Sequence, residues 1–163
     1  MQVHPYMEQK SLISLYYDVN IKKLPPGATL LYDAFPTLPS SLTKKDLQCL
    51  QEAFQSYVPY TINNVDSSYF KPNESMDWVE DKPTQFYPYC VILNDGSEVV
   101  FELEQNVKPY TNYSFVFPKR SALILPNSTE YKRGFLRGHG VFDGHTVIDA
   151  ARVGVVLRCE KRK

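Results

Sequence analysis

Apolar and polar positions along the chain change rhythm once, near residue 60. Before that point, Ser11–Ile21 and Ala28–Tyr32 read as strands, split by the turn signal Leu24-Pro25-Pro26-Gly27. A helix is then predicted behind Thr43. Asp46 stands three residues on, as in a capping box, and Leu47, Leu50, Phe54 and Val58 recur at helical spacing. One face is apolar, while Lys44, Lys45, Gln51 and Gln55 are assigned to water, so the helix is expected to pack on a sheet. From Thr61 onward, short strands alternate with turns: Thr61–Phe70, Cys90–Leu93, Glu98–Glu102, Tyr113–Phe117, Ala122–Leu125, Gly140–Phe142 and Arg152–Cys159. Asn94-Asp95-Gly96 is the strongest hairpin signal, since Asp-Gly favours a tight primed turn. The pattern predicts one all-β sandwich or jelly-roll core over 61–163, carrying an N-terminal extension, 1–60, with strands and one helix packed on it.

Composition narrows the functional classes. The chain has 163 residues, 43% hydrophobic and 22% charged, with twelve Tyr, nine Phe and twelve Pro against seven Gly. That is an ordinary balance for one globular domain and leans toward strands. The net charge is zero, so no global field draws the chain onto nucleic acid or an anionic membrane. No run approaches the ~20 apolar residues of a membrane span. Cys49, Cys90 and Cys159 are odd in number and lack zinc spacing, which predicts reduced core thiols in an intracellular setting: cytoplasm, nucleus or mitochondrion, not secreted. Asn73, Asn112 and Asn127 head glycosylation sequons, but the segment MQVHPYMEQK carries no apolar signal.

Three passages hold the candidate chemistry. The first runs from Ser68-Tyr-Phe-Lys-Pro72 to Val79-Glu-Asp81. The second runs from Phe117 through Tyr131-Lys-Arg-Gly-Phe-Leu-Arg-Gly to His139-Gly-Val141, and the third is Arg152-Val-Gly-Val-Val-Leu-Arg158. In this order they resemble the AlkB family of iron- and 2-oxoglutarate-dependent oxygenases, its eukaryotic homologues especially, over roughly residues 60–160. The resemblance implies a double-stranded β-helix, an antiparallel jelly roll, whose two histidines and one carboxylate hold Fe(II) on one face and leave positions open for 2-oxoglutarate and O₂.

The family pattern is N-x-Y-x-P-G, then H-x-D seven residues past the proline, a distal H-G-I/V, and R-x-N-x-T-x-R. On it, Pro72 matches the proline and Val79 falls where the first metal histidine belongs; Asp81 matches the carboxylate and His139 the distal histidine. Arg152 and Arg158 match the two arginines, but Gly154 and Val156 replace the asparagine and threonine between them. Ser68 and Phe70 stand for the N-x-Y pair that helps hold 2-oxoglutarate, and Asn73 for the glycine. Valine has no lone pair, so a vestigial metal site of Asp81 and His139 is all that remains, and Phe70 has lost a carboxylate-binding hydroxyl. Loss of even an outer partner commonly costs about 10–100-fold in metal affinity.

Weakening at both sites together predicts a pseudoenzyme: a degenerate, non-catalytic binding or structural component with no cofactor and no assigned small-molecule substrate. Its partners would be a protein assembly and/or RNA. The alternative is an active Fe(II)/2-oxoglutarate dioxygenase acting on nucleic acid or protein, with His145 or water replacing the lost ligand. Arg152, in an otherwise apolar strand, needs an anion or an acidic partner such as Asp81. Arg158 is assigned to solvent near the strand end. Lys119, Arg120, Lys132, Arg133 and Arg137, interleaved with Tyr131 and Phe135, are a candidate binding surface of stacking and phosphate-contacting groups.

Overall fold

A computed structural model describes residues 24–72, 76–79, 86–108, 110–136, 140–142, 145–147 and 150–160; in 76–79, 86–88, 136, 140–142, 145–147 and 160 the backbone alone is described. In chain order the elements are β1 (Thr29–Leu31), α1 (Lys44–Phe54), a 3₁₀ turn (Gln55–Tyr57), β2 (Asn64–Phe70), β3 (Met76–Val79), β4 (Phe86–Gly96), β5 (Val99–Gln105), β6 (Asn112–Phe117), β7 (Ser121–Pro126), a second 3₁₀ turn (Ser128–Glu130), β8 (Tyr131–Leu136), β9 (Gly140–Phe142), β10 (His145–Val147) and β11 (Arg152–Glu160). The expected strand Ser11–Ile21 lies outside the described residues.

Strands β1-β7-β4-β11-β2 form one sheet and β3-β8-β5-β6 a second, with β9 and β10 paired apart; every pairing is antiparallel. This is an all-β jelly roll with one α-helix among the described residues. Period-two alternation in the central strands builds two apolar layers. Val91, Leu93, Ala122, Ile124, Val153, Val155 and Leu157 point to one side of the larger sheet, where Leu50 and Phe54 of α1 cover them. Cys90, Ile92, Leu123 and Leu125 point to the other side and meet Phe101, Leu103, Phe117 and Phe135 of the smaller sheet.

The helix starts where its capping box is. Thr43 Oγ1 accepts from the Asp46 amide at 3.1 Å, and the Asp46 carboxylate accepts from the Thr43 amide at 3.0 Å. Those bonds from Thr43 hold the Asp46 carboxyl below the usual carboxylate range. Gln51 and Gln55, assigned to water from the pattern, are instead half-buried and fasten the following segment. Gln51 Nε2 donates to the Ile62 carbonyl, Gln55 Nε2 donates to the Tyr60 carbonyl at 2.6 Å, and the Ile62 amide donates to Gln55 Oε1 at 2.8 Å. Cys90 and Cys159 are core thiols as expected, but Cys49 is exposed on α1.

The primed hairpin expected at Asn94-Asp95-Gly96 does not form. β4 pairs with β7 and β11, whereas β5 pairs with β6 and β8, so this turn carries the chain from one sheet to the other. Its polar groups are tied to distant partners: Asp95 Oδ2 accepts from the Leu38 amide at 2.6 Å, and the Ser97 amide donates to the Ala151 carbonyl at 3.0 Å. Gly96 has φ +97°, and a Cβ there would sit 2.4 Å from the Ala151 carbonyl oxygen, so the corner requires glycine.

Candidate functional site

Strand β11 turns Arg152, Gly154, Val156 and Arg158 toward the smaller sheet, because their alternates Val153, Val155 and Leu157 belong to the layer under the helix. Arg152 is 3% exposed. Its Nε donates to Asn94 Oδ1 on β4 at 2.6 Å. The Asn94 amide is oriented by its own nitrogen, which donates to the carbonyls of Ser97 (3.2 Å), Phe117 (3.0 Å) and Pro118 (3.2 Å). The guanidinium lies 4.9 Å from the Phe70 ring centroid and 4.6 Å from that of Phe135, two rings themselves packed edge-on at 5.1 Å. A desolvated cation on a ring face gains about 2 kcal/mol, which offsets part of the burial of its charge. Glycine at 154 makes room for this pose: a Cβ there would stand 3.0 Å from Arg152 Nη2.

Beside this sandwich is a cavity of about 350 Å³ between the sheets. Its lining includes Ser68, Phe70, Arg133, Arg152, Val156 and Arg158. Arg133, on β8, is 5% exposed. Arg158 is not the solvent-facing group expected. It is half-buried, its Nη1 donates to Asn64 Oδ1 at 3.2 Å, and it forms an ion pair with Asp66.

Among the candidate residues, Ser68, Phe70, Arg152 and Arg158 thus converge on one cavity. Val79 ends β3 as the register partner of Arg133. Asp81, His139 and Arg137 lie outside the described residues, and of His145 the backbone alone is described, paired with Phe142. The four described basic residues, Lys119, Arg120, Lys132 and Arg133, do not make one surface. Alternation along β8 sends Arg133 inward to the cavity, while half-buried Lys132 sits on the other face with Glu104 as register partner. Lys119 and Arg120 occupy the β6–β7 turn, where Arg120 takes φ +56° and pairs with Asp33 at 3.3 Å. Sequence reasoning missed Arg133 as a cavity residue, although Tyr131-x-Arg133-x-Phe135 carries the period-two signal of a strand with its arginine on the core face.

The described part of the cavity fits a metal-chelated 2-oxoglutarate poorly. Phe70, Gly154 and Val156 supply no side-chain oxygen or nitrogen there, and the Arg152 guanidinium is engaged by two rings and an amide.

No protein-family model matches the chain, and no curated protein matches it in sequence. Solved structures with a similar fold include dTDP-4-dehydrorhamnose 3,5-epimerase from Bacillus anthracis (13% identity over 77% of this chain and 64% of that one, TM-score 0.46). They also include a 2OG-Fe(II) oxygenase family oxidoreductase from Burkholderia pseudomallei (12% identity over 71% and 51%, TM-score 0.41) and a prolyl-4-hydroxylase from Pseudomonas putida (9% identity over 72% and 63%, TM-score 0.43). The chain spans less than two thirds of the length of each of these three.

Proposed function

We propose that this jelly roll is a degenerate AlkB-like domain, a non-catalytic binding or structural component of an intracellular protein or RNA-containing assembly. The observation that carries the reading is the pose of Arg152. Its guanidinium is clamped between Phe70 and Phe135 across Gly154, in the part of the cavity where the resemblance calls for hydrogen-bonding side chains on the cosubstrate. Aromatic walls stabilise a cation without orienting a chelating ligand, so the site favours architecture over turnover. Val79 at the first metal position points the same way, since valine has no lone pair to donate. No helix among the described residues is long and apolar enough to cross a membrane. Exposed tyrosines, Tyr57 and Tyr60 beyond the helix and Tyr69 on β2, offer contact area of the kind enriched at protein interfaces.

The test is a decarboxylation assay with Fe(II), ascorbate and 2-oxoglutarate, read as succinate formed, beside calorimetric titration with Mn(II). The reading expects no succinate above the metal-free control and no saturable Mn(II) binding. Metal-dependent succinate formation would establish the oxygenase alternative in its place.

A further inference from the structure

We propose that the outer edge of β2 is the docking surface for a second copy of this chain, the two larger sheets joining into one by antiparallel pairing of β2 with β2. The inference goes beyond the non-catalytic reading and does not depend on it. Among the described residues, β2 pairs with β11 on one side and with no strand on the other. Such an edge presents a row of backbone donors and acceptors, which proteins guard with short strands, lysine, proline or a bulge. At the far side of the same sheet, β1 is guarded by its length of three residues. None of these guards protects β2. It runs for seven residues, Asn64–Phe70, without lysine or proline, and keeps one unbroken register with β11. Its single charge, Asp66, is ion-paired with Arg158. Asp66, Ser67 and Ser68 are exposed, and so is Tyr69, at 46%.

The strand complements itself, which points to a copy as the occupant. A twofold axis normal to the sheet keeps every side chain on its own face. Val65, Ser67 and Tyr69 share the face that α1 covers, and Asn64, Asp66, Ser68 and Phe70 share the cavity face. Residues that meet across the axis must therefore be of the same set, so the axis passes through a residue. An axis through Ser67 pairs the whole strand. It sets Val65 opposite Tyr69 of the second copy, a β-branched–aromatic pair of the kind that stabilises sheets, and Asp66 opposite a serine hydroxyl. An axis through Asp66 would pair fewer residues and bring two carboxylates together; one through Ser68 would pair fewer and separate Val65 from Tyr69. Pairing consumes the open edge of both copies, so the assembly closes at two.

Sedimentation velocity of the full chain over roughly 1–500 μM tests this, the range suited to an interface below about 1,200 Å². A concentration-dependent dimer is expected. Ser67→Lys and Ser67→Glu each place like charges face to face on the axis and should weaken self-association about tenfold or more at low salt, whereas their equimolar mixture should recover it. Lys108→Glu, in the turn between β5 and β6 of the smaller sheet, should leave it unchanged. Cross-linking needs no charge in the strand and decides the matter if a charged variant does not fold. In a Cys49→Ser background, Ser67→Cys brings two Cβ atoms to about 4.5–5.5 Å and should oxidise readily to a covalent dimer, while Ser68→Cys, which faces Asp66 of the second copy, should not. A chain that stays monomeric throughout the range overturns the proposal. So does a dimer unmoved by either charge at position 67, or one that cross-links through Ser68→Cys as readily as through Ser67→Cys.

Discussion

Replacing Asn94 with leucine keeps the number and branching of the side-chain heavy atoms and removes the hydrogen bond from Asn94 to the Arg152 guanidinium. The bond from Arg152 Nε is to a charged donor and contributes about 1.5–3 kcal/mol. The amide nitrogen has two hydrogens for three carbonyls, so it adds about two further bonds of roughly 1 kcal/mol each. Leucine regains about 1 kcal/mol through its larger apolar surface in this buried position. The net expectation is a loss of about 3 kcal/mol, which at a slope of about 2 kcal/mol per molar urea lowers the unfolding midpoint by about 1.5 M. Pairing Asn94→Leu with Arg152→Met in a double-mutant cycle isolates the contact, and circular dichroism during urea unfolding reads all four proteins. The coupling should be about 1.5–3 kcal/mol, because the second substitution removes the partner of a bond the first has already broken. If the two losses add to within about 0.5 kcal/mol, Asn94 does not hold Arg152, and the account of the sandwich is refuted.

Gly154→Val places a branched side chain against Arg152 Nη2 and should cost about 1–3 kcal/mol of stability, read as a lower melting temperature; a melt equal to wild type would show that the guanidinium has room to shift. Thr43→Ala removes the cap of α1 and should cost about 1 kcal/mol, with Thr43→Ser recovering most of it in the same urea assay. Burial pushes the Cys159 thiol up to about 11, and burial with Tyr113 and Glu130 nearby pushes the Tyr131 phenol up to about 12. Both groups stay protonated in the folded state while the unfolded chain ionises. Stability is therefore fully present below about pH 9 and falls as pH rises through 9 to 12, and equal urea midpoints at pH 8 and pH 10.5 would contradict this. At pH 8 a thiol reagent should modify Cys49 rapidly and reach Cys90 and Cys159 on unfolding alone; fast labelling of more than one thiol in the native protein would refute the burial assigned to the other two.

The features legible in the sequence are those whose cause is local. Thr43 and Asp46 bond each other three residues apart, so the helix start could be read directly from the chain. The alternation that buries Val153, Val155 and Leu157 likewise marked β11 and turned Arg152 inward. Asn94-Asp95-Gly96 misled because a tight turn and a sheet-crossing corner use the same residue types. The corner is decided by Leu38 and Ala151, which lie far away in sequence. Arg133 belongs by sequence to a basic cluster that reads as a binding surface, whereas the cavity it lines is built by strands distant from it in sequence, β2 and β4 among them. Arg158 was misplaced for a related reason: its partners, Asn64 and Asp66, sit on β2. The metal-site half of the resemblance, Asp81 and His139, lies outside the described residues.

The neighbours of β11 have a kinetic consequence. It hydrogen-bonds along its length to β2 on one side and to β4 on the other, so two strands made early are joined only through one made last. A chain leaving the ribosome must keep Asn64–Phe70 and Phe86–Gly96 apart, each with an unsatisfied edge, until Arg152–Glu160 arrives to slot between them. Pairings this distant in sequence carry a large loop-closure entropy and fold slowly. During that wait the inner strand β4 exposes an apolar edge open to mispairing with other chains. Late closure of the larger sheet is expected to make substitutions at the start of β11 more harmful to folding yield than to the stability of the finished molecule.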